Sequence, residues 1–405
     1  MRILVYGAGV QGCELAHRLL QNKKNVVTML ARGEWKERLD QRGLVIRHWA
    51  QCRTTVDRVA TIDTLAPDDC YDLVFVTMQA GQLPDVLPIL KQNRSEYFVF
   101  VGNDPHAVEV MQAMQRPADK IAFGFQSSGG HRDVDKVVSA HVGVGMTIGG
   151  ATAPLSGVFR YRVKTAFEGA KYKLTFVSDM DGWLKCHLAL ILPACYLCYA
   201  CSGDLSKATK EQRDLVLDAA WEACEMLKAA HIPVDDKENT DCYRAGTPGR
   251  RKMDAMVLTL CKTRWAVSAS PTTRCMLWLR CSTSMRLSKG LRTRTSVRMT
   301  AWDTLRSQMP SWDIMTEKDG ESKAISAWKK RQMRVCLFFH IKGSPFGGNG
   351  DDRRQRRKQG GAVGAAASRM QATARQTLGA ATRHGRGAPE RARMLTERLF
   401  SPKFR

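Results

Sequence analysis

One heptapeptide near the start, Tyr6-Gly7-Ala8-Gly9-Val10-Gln11-Gly12, constrains this chain more than any other stretch. It sets three glycines at the Gly-x-Gly-x-x-Gly spacing directly after the apolar run Ile3 to Tyr6, which reads as a fully buried parallel strand. Each glycine has its own task. Gly7 permits a tight strand-to-helix turn, Gly9 lets the backbone approach a pyrophosphate, and Gly12 lets the helix pack closely on the strand. The spacing predicts a helix from about Val10 to Leu20, whose free N–H groups and dipole favour phosphate at the turn formed by Gly7, Ala8, Gly9, Val10, Gln11 and Gly12. A second apolar strand, Asn25 to Arg32, completes the order strand, glycine turn, helix, strand. That order favours a dinucleotide site over a glycine turn in an unrelated α/β domain.

The end of the second strand carries a cofactor preference. An acidic residue there holds the ribose 2′-hydroxyl of NAD, whereas an arginine accommodates the 2′-phosphate of NADP. Here Arg32 comes first after the apolar run and Glu34 two residues later, so NADP(H) is expected. The competing reading makes Arg32 a solvated loop residue.

Two further runs, Tyr71 to Met78 and Glu96 to Asn103, read as successive strands of a doubly wound parallel sheet. Their C-terminal ends, Thr77 to Gln82 and Gly102 to Asp104, would line the ligand crevice. Shorter strand-like pieces follow within 120–179, and the pattern then turns helical, with Ser178 or Asp179 placed to cap the incoming helix. The expected fold class is therefore α/β: a Rossmann-type doubly wound sheet over 1–177, then a smaller, incomplete all-helical domain over 178–333.

The formal net charge of +24 points to a polyanion partner only if it is spread over the folded part. It is not. Residues 1–250 hold 30 Lys+Arg against 29 Asp+Glu, and residues 251–405 hold 33 against 10. Residues 334–405 are rich in Arg, Gly, Ala and Gln with few large apolar residues, the composition of a disordered basic tail. No recognition motif or aromatic stacking set accompanies that charge, so a nucleic-acid function is not expected.

Between Ala255 and Ala301 there is not one Asp or Glu, and the apolar residues keep no helical period. The stretch 261–298 reads as translated out of frame, with a divergent basic insertion as the alternative. The thirteen cysteines lack a repeating frame and no secretory signal is read at the start, which together suggest reduced thiols in a cytoplasmic protein. Cys195, Cys198 and Cys201 share an iron–sulfur-like spacing, but on a helix they form one apolar stripe, so no metal is expected. The apolar run Cys186 to Cys201 is too short for a membrane span and reads as a buried helix.

The pieces Ile3 to Gly12, Val26 to Gly33, Asp72 to Gln82, Phe100 to Asp104 and Asp181 to Tyr196 occur in the order, and at approximately the spacing, of the ketopantoate reductase family, which this chain resembles over about 1–247. The stretch Met299 to Asp313 resembles a return of the same pattern. The resemblance implies NADPH-dependent reduction of a 2-keto acid to a 2-hydroxy acid, the 2-dehydropantoate 2-reductase step of the pantothenate pathway. It places Gly7, Gly9 and Gly12 at the phosphates, Arg32 at the 2′-phosphate, Asn103 beside the nicotinamide and substrate, and Lys185 as the catalytic lysine. A cation at that place stabilises the alkoxide formed by hydride transfer and delivers its proton. Two positions depart from the family pattern: Gln79 replaces a lysine near the cofactor, and Ala189 an asparagine four residues after the catalytic lysine. A degenerate, non-catalytic NADP-binding member is the alternative. A homodimer is left open as the assembly, and no membrane partner is expected.

Overall fold

The computed structural model describes residues 1–141, 143–201, 204–234, 242–262 and 291–309. Most of the stretch 261–298 and all of 334–405 therefore lie outside the described residues. The α/β part begins β1 (Arg2–Tyr6), α1 (Val10–Leu19), β2 (Val26–Leu30), α2 (Gly33–Arg42), β3 (Leu44–His48), β4 (Arg53–Asp57) and β5 (Ala60–Ile62). It continues β6 (Leu73–Val76), α3 (Leu83–Gln92), β7 (Phe98–Val101), α4 (Ala107–Met114), β8 (Ile121–Gln126), β9 (Gly129–Arg132), β10 (Val137–Ala140), β11 (Gly145–Gly149), α5 (Gly157–Ala166) and β12 (Lys173–Phe176). Helices α6 (Met180–Ala200), α7 (Lys210–Ala229), α8 (Pro248–Lys262) and α9 (Thr300–Ser307) follow.

The eight-stranded main sheet runs β12-β11-β8-β7-β6-β1-β2-β5. Its centre is parallel: Ile3 pairs with Val27 on one side and Leu73 on the other. Strands covered on both faces need apolar residues at every position, which is why β1, β6 and β7 are continuous runs rather than alternating ones. Ile3, Val5, Phe75 and Val99 bury themselves with Leu15 and Leu19 of α1 and Phe159 of α5. Leu4, Tyr6, Val74 and Phe98 bury themselves with Val86 of α3 and Val110 of α4. The sheet is mixed at its far edge, where β11 runs antiparallel to β8 before pairing parallel with β12.

A second sheet, ordered β4-β3-β10-β9, departs from a purely doubly wound reading. It joins the hairpins β3–β4 and β9–β10 through the parallel pair β3–β10. Helix α1 packs between the two sheets, touching β1 and β2 on one side and β3, β9 and β10 on the other.

Asp179, rather than Ser178, caps α6: its Oδ1 accepts from Gly182 N at 2.8 Å. Helix α6 is long and apolar enough to cross a membrane by length and composition, yet most of its apolar stretch is buried inside the protein. Cys195, Cys198 and Cys201 lie in the core it shares with α7 and α9. Trp302 of α9 meets the Tyr196 ring edge-to-face at 5.5 Å. The Glu222 carboxylate of α7 accepts from the N–H groups of Ala301 and Trp302, both at 2.9 Å, and so satisfies the opening turn of α9. Glu222→Ala should therefore destabilise the protein by about 2 kcal/mol, the scale of charge-assisted hydrogen bonds. Urea denaturation monitored by tryptophan fluorescence would measure the loss; an unchanged midpoint would detach α9 from the folded core.

Candidate functional site

The glycine turn is built by mutual contact. Gly7 has φ +117°, a left-handed backbone that side chains resist. A Cβ on Gly12 would lie 2.0 Å from Gly7 O, so α1 sits against the turn with no room for a methyl group. Thr77, just past β6, fixes the turn from the neighbouring strand by donating its hydroxyl to Gly7 O at 3.0 Å. Among the described residues, and apart from its two chain neighbours, nothing lies within 4 Å of a Cβ placed on Gly9. Gly9 is also the N-cap of α1 and contributes no side-chain acceptor, and the first backbone bond back into the helix runs from Cys13 N to Gly9 O. The amides of Val10, Gln11 and Gly12 thus form the unsatisfied first turn, beside an open space. That combination fits an anionic pyrophosphate.

Gln11 has a further role that its place in the motif did not reveal. Its side-chain Oε1 accepts from Gln126 Nε2 at 2.9 Å and Ser128 Oγ at 3.2 Å, and its Nε2 donates to Ser128 O. The side chain is thus tied to the β8–β9 connection, and only the backbone of Gln11 is left for the turn.

Arg32 is the exposed N-cap of α2 and makes no hydrogen bond or ion pair among the described residues. Glu34, the competing acidic residue, is paired with Arg38 one turn along the helix, at 3.3 Å. The guanidinium is the uncommitted charge at this strand end. Gln79 caps the short turn Ala80–Gln82 and donates its backbone N–H to Gln82 Oε1 at 3.2 Å.

At the end of β7, Asn103 holds its Oδ1 buried without a hydrogen-bond partner. Such an atom is costly to leave unmet and marks a place where a ligand donor fits. Next to it, Asp104 Oδ1 accepts from His106 N at 3.1 Å and lies 3.0 Å from His106 Nδ1. This hydrogen bond raises the His106 pKa, against burial and the nearby Lys185 charge. Lys185 belongs to the first turns of α6, which pack against α4. Its side chain is 12% exposed, and Nζ donates to Asp181 Oδ2 one turn earlier. Burial raises the Asp181 pKa, and Lys185 only partly offsets this. Asp181 Oδ1 is buried without a partner.

The start of α6 therefore brings Lys185, Asp181 and the His106–Asp104 pair into one neighbourhood just after β7. Asp104 lies in the strand end expected to line the crevice, whereas Asp181 and His106 were missed as site residues; the signal for Asp181 was its i, i+4 spacing from Lys185. Ala189, one turn beyond Lys185, is buried in the helical core.

These elements define a class: a Rossmann-like α/β part with its glycine turn, followed by a helical part that sets a buried lysine near the strand ends. Residues 3–153 match the family described as Ketopantoate reductase PanE/ApbA. No curated protein matches the chain by sequence. Among solved structures, 2-dehydropantoate 2-reductase from Geobacter metallireducens GS-15 is 16% identical, with TM-score 0.61 over 76% of this chain and 98% of its own. The Methylococcus capsulatus 2-dehydropantoate 2-reductase is 15% identical, with TM-score 0.60 over 76% and 95%. A D-mandelate dehydrogenase, solved with NADH and anilino(oxo)acetate, is 13% identical, with TM-score 0.56 over 76% and 96%. At these identities the likeness establishes the fold.

Proposed function

We propose that the chain is an NADPH-dependent reductase of a 2-keto acid. Residues 1–177 hold the cofactor, and the helical residues from 178 on complete the substrate side. The observation that carries this reading is the buried Lys185 cation, held by Asp181 near the strand end that bears Asn103. The amides of Val10, Gln11 and Gly12 would take the pyrophosphate, Arg32 the 2′-phosphate, and Asn103 the nicotinamide side. The bound nicotinamide supplies the hydride. Lys185 Nζ donates a hydrogen bond to the keto oxygen and passes its proton to the oxygen as negative charge develops there. Asp181 is a positioning residue: it accepts a hydrogen bond from Lys185 Nζ one turn along α6 and so holds the ammonium in place in a partly dry site. A fold relative holding NADH with anilino(oxo)acetate supports the pairing of a nicotinamide with an oxo acid.

The catalytic test follows NADPH consumption by the full chain across a panel of 2-keto acids. Tight NADPH binding without turnover of any of them would favour the non-catalytic alternative. The cofactor assignment has its own test. Arg32→Ala should erase a preference for NADPH over NADH that the native chain shows, a loss of about tenfold or more for a charge-assisted phosphate contact. Equal affinities before mutation, read by fluorescence titration, would remove the 2′-phosphate assignment.

A further inference from the structure

Behind the glycine turn, where α1 faces the second sheet, lies a cluster of ionisable side chains that the proposed reaction does not use. Glu14 comes from α1, His48 from the end of β3, and His141 from just past β10, and all three are buried. Each offers a ligand atom, and the three atoms lie within 4.8 Å of one another. Glu14 Oε2 and His48 Nδ1 face each other at 3.9 Å, and neither has a hydrogen-bond partner. That distance is too long for a hydrogen bond. It falls inside the span of about 4.2 Å that two ligands of one ion can reach with arms of about 2.1 Å.

The surroundings hold these atoms ready. Arg18 donates its Nε to Glu14 Oε1 at 2.8 Å, and its Nη2 lies 2.7 Å from the same oxygen. The second carboxylate oxygen is therefore the unused one. His48 Nε2 lies 2.8 Å from Thr55 Oγ1, a contact that settles the ring orientation and leaves Nδ1 pointing at Glu14. His141 Nε2 lies 3.4 Å from Glu14 Oε1 and 3.3 Å from Arg18 Nη2, while its Nδ1 is buried without a partner. A neighbouring histidine, His17, whose ring lies 5.0 Å from that of His48, is engaged by Asp57 at 2.6 Å and stands outside the trio.

We propose that Glu14, His48 and His141 form a site for one divalent transition-metal ion of the zinc class, tying α1 to the second sheet. Two imidazoles and a carboxylate suit zinc, with water free to take the fourth position. Arg18 and Thr55 are the outer groups that orient the ligands. The role is structural, because α1 packs in one core and the start of α6 in another, and the three ligands are buried.

The test uses the full chain, stripped with a chelator and titrated with Zn²⁺ alone by calorimetry. One ion per chain and a raised Tm are expected, with binding weakened at least about a hundredfold in Glu14→Gln and in His48→Gln. Two variants are used because either could fail to fold, and circular dichroism checks both. The thirteen cysteines are an obvious competitor, so Co²⁺ is added as a spectroscopic probe. Weak visible bands without thiolate charge-transfer absorption support the nitrogen and oxygen ligands. A native chain that takes up neither ion, strong thiolate absorption from the bound Co²⁺, or unchanged affinity in a folded variant overturns the proposal.

Discussion

Lys185→Ala should lower turnover of a branched 2-keto acid by about a hundredfold or more, the usual scale for losing a positioned acid. NADPH affinity should hardly change, because the proposed cofactor contacts come from the glycine turn and Arg32. Lys185→Arg separates two roles of the lysine: it keeps the charge, but a guanidinium does not give up its proton at neutral pH. Its turnover should stay close to that of Lys185→Ala if proton delivery dominates, and recover if charge alone matters.

Asp181 adds a signature in pH. Burial raises its pKa, so on acidification it takes up a proton above the usual carboxylate range and releases Lys185 from the ion pair. Activity should fall through that step as pH drops, and Asp181→Asn should abolish the step. A full-length chain without turnover leaves one arm to examine: a version with 261–298 restored to the alternative reading frame. Activity appearing only there, and vanishing with Lys185→Ala, would support both the reductase reading and the frame argument. Persistent inactivity despite tight NADPH binding would assign the chain to the non-catalytic alternative.

What could be read beforehand was local. The strand, glycine turn and helix from Arg2 to Leu19 lie within one short segment, so spacing alone conveyed the turn that Gly7 and Gly12 make. Strands β6 and β7 were legible because a doubly covered strand carries apolar residues throughout. The second sheet was not. In β3 only Leu44, Ile46 and His48 are fully buried, β4 is mostly exposed, and the β3–β10 pairing joins segments far apart in the chain. Direction was equally hidden: nothing in Gly145–Gly149 announces that it runs antiparallel to β8.

The same limit applied to side chains. Lys185 was singled out through the resemblance to a family, and its hydrogen-bond partner Asp181 was one helical turn away, within reach of an i, i+4 reading. Glu14, His48 and His141 were beyond any such reading, because three separate elements bring them together. Gln11 shows the converse. Its place in the motif conveyed only the backbone N–H of the turn; tertiary structure ties its side-chain amide to Gln126 and Ser128.

Two glycines of the turn should respond to the same substitution in opposite ways. Gly12→Ala sets a Cβ 2.0 Å from Gly7 O and 2.7 Å from Thr77 Oγ1, and the first of these is backbone that cannot swing aside. Helix α1 must then move off β1. The expected cost is about 3 kcal/mol, at the upper end for overpacking, or a Tm lower by about 6–12 °C. Gly9→Ala meets no atom of the described residues within 4 Å beyond its chain neighbours, and exchanging a glycine N-cap for alanine costs about 1 kcal/mol at most. Its Tm should stay near that of the native chain. Its NADPH affinity should nevertheless fall by about tenfold to a hundredfold, because the methyl group enters the space proposed for the pyrophosphate. Thermal denaturation without cofactor and fluorescence titration with it measure the two effects separately. A stable Gly9→Ala chain with undiminished affinity would take the pyrophosphate away from this turn, and a Gly12→Ala chain as stable as the native one would refute the close approach of α1 to Gly7.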